Sequence, residues 1–183
     1  MRVSVIGIVA LAGVAGRPRS AAGPPPGHTG GFGEPTCQAC HAGAPVNADG
    51  GSLTILGWDR ATCGERLAVT VRLERPGTRR GGFQLAVRWA DGPARGRQAG
   101  RILTPDHERV EIVTDAAGIQ FAQHSSAATA DTAAGAFQWD LTWDPPRCPA
   151  AIAVHAAANA SNDDDSELGD HVYTASLQVH LEE

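Results

Sequence analysis

From Ser52 onward the chain alternates apolar and polar residues with a period of two. Leu67, Val69, Val71 and Leu73 alternate with Ala68, Thr70, Arg72 and Glu74. Phe83, Leu85, Val87 and Trp89 alternate with Gln84, Ala86 and Arg88, and Phe137, Trp139, Leu141 and Trp143 with Gln138, Asp140, Thr142 and Asp144. Tyr173, Ala175, Leu177, Val179 and Leu181 repeat the pattern near the C-terminus. Such alternation predicts strands with one side in a core and the other toward solvent. Shorter strands are expected at Ser52–Leu56, Arg101–Leu103, Arg109–Thr114, Ile119–His124 and Ala151–Asn159. Turn-forming runs such as "RPGTRRGG", "ADGPARGRQAG" and "WDPPRCP" separate them. No stretch carries a capped 3.6-residue period. The expected fold class is all-β, with eight or nine short strands in a two-sheet antiparallel sandwich.

Before Ser52 the pattern is different. Residues 1–22 combine Arg2, an apolar run from Val3 to Ala15 and small residues suited to cleavage, which predicts a signal peptide. Residues 23–51 are dense in Pro and Gly and predict an extended, turn-rich lead-in; residues 52–183 form the sandwich. The chain is therefore expected to be exported, periplasmic or extracellular, with no membrane span after signal cleavage and no visible C-terminal anchor. A net charge of −5 argues against nucleic acid as a partner. Export changes how the four cysteines read, because thiols in an oxidising compartment pair or bind something. Cys63 and Cys148 each sit at a strand entrance and are expected to form a disulfide, which would contribute roughly 4 kcal/mol in the chain-entropy model.

The other two cysteines lie in "EPTCQACHAG" as Cys37-Gln38-Ala39-Cys40-His41. In a covalent haem site the two thiols add across the haem vinyl groups and the adjacent His binds the iron. The small Ala39, Ala42 and Gly43 would let backbone approach a porphyrin plane. Three other chemistries compete. Zinc needs a second Cys/His pair at short spacing, and none follows. A redox dithiol needs a helix in a βαβ frame. A local Cys37–Cys40 disulfide would leave His41 idle. Haem c leads, held by Cys37 and Cys40 with His41 as proximal ligand. The single Met is Met1 and there is no Lys, so a sixth ligand would be a His, water or nothing. His124, at a strand end leading into a loop, is the first candidate distal ligand. His28 is second and His171 third. His155 is expected on a small-residue face, and His107 and His180 at the surface.

The lead-in "PPPGHTGGFGEPTCQACH", followed by "GGFQLAVRWA", "FAQHSSA", "FQWDLTWDPP" and "AIAVHAAANASNDDDSELGDHVYTASLQV", resembles the bacterial choice-of-anchor V domain proteins. The match in the lead-in runs through Pro26, Gly27, Thr29, Gly30, Gly33, Glu34, Cys37, Cys40 and His41. The resemblance covers nearly the whole chain after residue 22. It implies an immunoglobulin-like, reelin-type sandwich with a CxxCH segment packed on it, and a His at the place of His124. It implies no settled activity, and the Cys63–Cys148 pair is not part of the pattern.

The acidic loop "NASNDDDSELGD", with Asn159, Asn162, Asp163, Asp164, Asp165, Glu167 and Asp170, could offer oxygen ligands to Ca²⁺, although its order is not that of an EF-hand; a solvated turn explains it more simply. Arg79, Arg80, Arg95, Arg97 and Arg101 cluster in loops, where they could pair with haem propionates or an acidic partner. No catalytic constellation stands out, so electron transfer or binding is expected over enzymatic activity. The expectation is an exported mono-haem c-type cytochrome with a redox partner protein. The alternative is a secreted reelin-like adhesion or binding module in which the CxxC is a structural disulfide.

Overall fold

A computed structural model describes residues 23–130, 135–164 and 166–182. The expected signal peptide and Asp165 of the acidic loop lie outside the described residues. Ten strands follow in order: β1 (Ala42–Gly43), β2 (Ser52–Leu56), β3 (Leu67–Glu74), β4 (Arg80–Trp89), β5 (Arg101–Leu103), β6 (Val110–Thr114), β7 (Gln120–His124), β8 (Ala136–Asp144), β9 (Ala150–Ser161) and β10 (Leu168–Leu181). They form a six-stranded sheet of order β1-β10-β9-β4-β7-β6 and a four-stranded sheet of order β2-β3-β8-β5. All pairings are antiparallel except β1 with β10. The all-β sandwich is the architecture the alternation predicts. Two-residue β1 was not foreseen, and β10 begins at Leu168 rather than Tyr173.

The core lies between the inner faces of the two sheets. In the smaller sheet, Val69 stands opposite Leu141, Val71 opposite Trp139 and Leu73 opposite Phe137. From the larger sheet come Phe83, Leu85, Val87, Ile152, Val154 and Tyr173, all essentially excluded from water. Phe83 stacks on Trp139 at 4.6 Å and 27°. Each fully buried large apolar side chain contributes about 1.5–3 kcal/mol relative to exposure. The indole nitrogens of Trp139 and Trp143 donate to the carbonyls of Ala128 (3.3 Å) and Ala99 (3.0 Å), so these rings are buried without orphaned donors.

The polar side of β4 does not face solvent: Gln84, Ala86 and Arg88 are buried along with Phe83, Leu85 and Val87. The same is true of β9, where Ala153, Ala157 and Asn159 are buried on the side away from the core. The reason is a third layer. The Pro/Gly-rich lead-in folds across the outer face of the larger sheet in two short 3-10 turns, Gly31–Gly33 and Cys37–Ala39, before β1. Gly31 passes so close to the sheet that a Cβ there would lie 2.4 Å from Cγ of His155, so any side chain at this position would have to displace the imidazole.

Cys63 and Cys148 are joined across a sequence separation of 85 residues. The bond links the approach to β3 with the chain entering β9, and so ties the two sheets. Removing it as Cys63→Ala/Cys148→Ala is expected to lower stability by about 2–4 kcal/mol in denaturant titration. An unchanged midpoint would show that the bond does not constrain the unfolded chain.

Candidate functional site

The lead-in closes some backbone bonds in its own turns, such as Gly30 N–H to the Pro35 carbonyl (3.0 Å) and His41 N–H to the Cys37 carbonyl (2.9 Å), and its remaining polar groups need partners from elsewhere. The outer sheet face supplies them. Gln84, fully buried, accepts from the backbone N–H of His28 (2.6 Å) and donates to the carbonyl of Pro25 (3.0 Å) and to Gln123 (3.1 Å). Arg88 donates to Glu34 in an ion pair whose side chains are 8% and 16% exposed. The other Glu34 oxygen accepts the hydroxyl of Thr29 at 2.5 Å. Phe32, left-handed at φ 53°, lies between the guanidinium groups of Arg88 (5.4 Å) and Arg95 (5.1 Å) and against the edge of His155 (5.3 Å).

The histidine of CxxCH lies further along this layer. Nδ1 of His41 sits 2.6 Å from Oδ2 of Asp170, and Asn159 Nδ2 donates to the same carboxylate oxygen at 3.1 Å. Burial works to raise the Asp170 carboxyl, but the bonds from His41 and Asn159 outweigh it and hold the group below the usual carboxylate range. Nδ1 of His41 is thus the ring nitrogen that faces the carboxylate, with Asn159 Nδ2 also 3.0 Å from it, and Nε2 has no hydrogen-bond partner among the described residues. The His41 side chain is 37% exposed. His124 stands over Gly82, in the same cross-strand row as Asn159. A Cβ at Gly82 would come within 2.5 Å of that ring. Its Nδ1 accepts the N–H of Phe83 at 3.0 Å, where the β4–β7 ladder has ended.

The thiols are disposed differently from one another. Cys37 is buried against Ala157 and Val172, with Val46 beside it, and burial pushes its thiol up to about 12. Cys40 is half-buried, and both are unpaired. The local Cys37–Cys40 disulfide of the binding-module alternative is therefore not formed. The other histidines separate. His28 turns its Nδ1 back to Pro25 at 2.9 Å. His171 accepts from Arg75 at 2.9 Å, on the core side of β10. His155 is half-buried under Phe32; His107 and His180 are exposed. In the acidic loop Asp163 pairs with Arg80, Asp164 bonds Ser166, and Asp170 turns inward to His41. No group of three His, Cys, Asp or Glu among the described residues is arranged to hold a metal ion.

Haem c needs both sulfurs free to reach one porphyrin edge. His41 suits its part, since a carboxylate on Nδ1 leaves Nε2 without a hydrogen-bond partner among the described residues, as in many metal-binding histidines. Cys37 does not suit its part, because its sulfur faces the sheet and is covered by protein. A cavity of about 450 Å³ does open where the lead-in meets β10, but its lining includes Thr29, Thr36, Asn47, His155, Thr174 and Ser176, and neither Cys37 nor His41. In this packing the residues do not fit a haem. Arg88, in the polar half of the β4 alternation, and Glu34, in the lead-in motif, are among the residues that hold the layer down, with Gln84, Cys37 and His41.

No protein-family model matches the chain, and no curated protein matches it. Among solved structures it is similar to the human F-spondin reeler domain, at 14% identity and TM-score 0.49, covering 75% of this chain and 94% of that one. A second structure of that domain, at 12% identity and TM-score 0.49, covers 78% and 96%. A cohesin module from a Clostridium perfringens family 33 glycoside hydrolase, at 12% identity and TM-score 0.45, covers 72% and 96%. No described helix is long and apolar enough to cross a membrane.

Glu34→Gln leaves the Arg88 charge uncompensated under the layer, a defect that costs about 3–5 kcal/mol when fully buried. Hydrogen exchange should show amides of residues 28–41 losing protection while the core strands keep theirs; unchanged protection would mean the pair does not hold the layer. Acid should act through histidines. His124, His155 and His171 are each held below the ordinary imidazole range, first by burial and then by the positive charges of His41, Arg88 and Arg75 respectively. The unfolded chain then binds more protons, so stability is full above the unfolded pKa of about 6.5 and is lost as pH falls through the lower folded values. Tm should hold from about pH 8 to 7 and fall as the pH drops below about 6.5, less steeply in His124→Gln. A flat profile would sink the assignment.

Proposed function

We propose that the chain is an exported binding module of reelin type in which the CxxCH lead-in serves as a structural layer of the sandwich. The inward, protein-covered sulfur of Cys37 carries this reading. A thiol buried against Ala157 and Val172, with its pKa pushed up to about 12, is neither nucleophile nor ready metal ligand. The lead-in's resemblance to choice-of-anchor V proteins and the Cys63–Cys148 disulfide support an extracytoplasmic setting.

The rival reading is a mono-haem c-type cytochrome, with Cys37 and Cys40 as attachment points, His41 as proximal ligand and His124 as distal ligand. What favours it is the His41–Asp170 pairing, together with a His124 near enough for the charge of His41 to depress it. Covalent attachment would require Cys37 to leave its contacts on the sheet.

The two are separated by producing the protein alongside a haem-maturation system. The binding-module reading expects no pyridine haemochrome signal, rapid native labelling of Cys40 by iodoacetamide, and labelling of Cys37 only after denaturation. A covalent haem that consumes both thiols would overturn it and restore the cytochrome.

A further inference from the structure

The outer edge of β10 is half covered and half open. Asn47 covers the first part as a strand residue would: its N–H donates to the carbonyl of Val172 (2.9 Å) and its Oδ1 accepts the N–H of Thr174 (2.8 Å). Asn47 is itself left-handed at φ 59°, and there the chain turns away toward β2. Since alternate residues of a strand direct their N–H and C=O to the same side, Ser176, Gln178 and His180 also point theirs away from β9. Those groups have no partner among the described residues, and all three side chains are exposed.

Protein edges of this kind are normally guarded by Lys, Pro, a bulge or shortness. None of these guards is present. β10 is the longest strand at 14 residues, and its register with β9 runs unbroken from His171 to Leu181. Residues 176–180, Ser-Leu-Gln-Val-His, include no Asp, Glu, Lys, Arg or Pro. Leu177 and Val179 are only half-buried at the margin of the core.

We propose that this edge pairs with the same edge of a second copy, antiparallel about a two-fold axis through Gln178. The sequence is self-complementary in that register. Gln178 meets the partner's Gln178, and Ser176 meets the partner's His180. These are the outward-bonding positions on both chains, so each pair exchanges two backbone hydrogen bonds. Leu177 meets the partner's Val179 on the core side, in the closely spaced non-bonded position, which covers the half-buried apolar surface. No like charges oppose one another. Pairing stops at Thr174, whose N–H is already taken by Asn47. An interface this short buries less than the roughly 1,000 Å² of a stable complex, so the dimer is weak and concentration-dependent. The inference does not depend on whether the lead-in carries haem.

Light scattering on size-separated protein from about 5 to about 500 µM should show a monomer passing to a dimer. Gln178→Pro removes an outward N–H at no cost to the β9 ladder, and is expected to weaken dimerisation at least ~10-fold with Tm nearly unchanged. Gln178→Lys and Gln178→Glu each place like charges on the axis and should be monomeric alone. Mixed together they should form a one-to-one heterodimer in native mass spectrometry, a result that only this register gives. Thr54→Lys, on edge strand β2, should leave the dimer intact. A wild-type chain monomeric throughout, a dimer that survives Gln178→Pro, or a Lys/Glu mixture that stays monomeric would each overturn the proposal.

Discussion

The buried ion pair between Arg88 and Glu34 is the contact on which the arrangement of this molecule depends. A Pro/Gly-rich segment closes only part of its backbone bonding in local turns, and a sandwich has no need of a third layer. The two are reconciled only because the outer face of one sheet is built from side chains that bond to irregular backbone. Gln84 does this with both ends of one amide, to His28 and Pro25. Glu34 does it in reverse, bringing a charge from the lead-in down to Arg88 while holding Thr29. The Coulomb attraction is strong where water is excluded, but so is the cost of losing either partner. The layer is thereby held in one place, over a dry face on which Gln84 and Arg88 stand among the apolar Ala86, Phe121 and Ala157.

That is also why the sequence could be read so well in one respect and so poorly in another. Alternation in β3 and β8 reports a sheet with one wet side, and there Leu67, Val69, Val71 and Leu73, and Phe137, Trp139, Leu141 and Trp143, are buried as expected. In β4 and β9 the same alternation is present, but its polar half is covered. Period two tells which residues share a face; it does not tell what lies on that face. Gln84 and Arg88 look like solvent-facing residues in any local window, and only the lead-in, some fifty residues away in the chain, makes them interior. The Cys63–Cys148 bond was legible because both cysteines flank strands in a chain read as exported. The His41–Asp170 contact was not, because Asp170 lay in a run of acids that reads as a solvated turn.

The CxxCH segment shows the limits of a motif as a chemical statement. Spacing alone allows both sulfurs to face one ligand. The fold decides otherwise: in the Cys37–Ala39 turn the first sulfur points down to Ala157 and Val172, while Cys40, one step on, is half open. Alanines along β9 are what admit it. With no side chain beyond Cβ at Ala157, the lead-in can settle close enough for a thiol to serve as a small apolar plug. His41 is then carried to the place where Asp170 and Asn159 can hold it. The carboxylate–imidazole pair is a consequence of the layer's packing as much as an invitation to a metal.

The layer also has an end, and its end is visible along a single strand. Asp170 and Val172 on β10 are buried, Thr174 is half covered, and Ser176, Gln178 and His180 are open. The change falls where Asn47 makes its last contact and its left-handed backbone turns the chain toward β2. Asn suits that position because it tolerates the left-handed region and its amide can mimic a peptide group. A longer lead-in would have continued the pairing and closed the edge. This one stops one residue pair short of Ser176, so a strand whose first half is an internal member of the sheet is an edge in its second half. The same segment that makes the outer face of the sheet an interior therefore determines which backbone groups are left for another chain to meet.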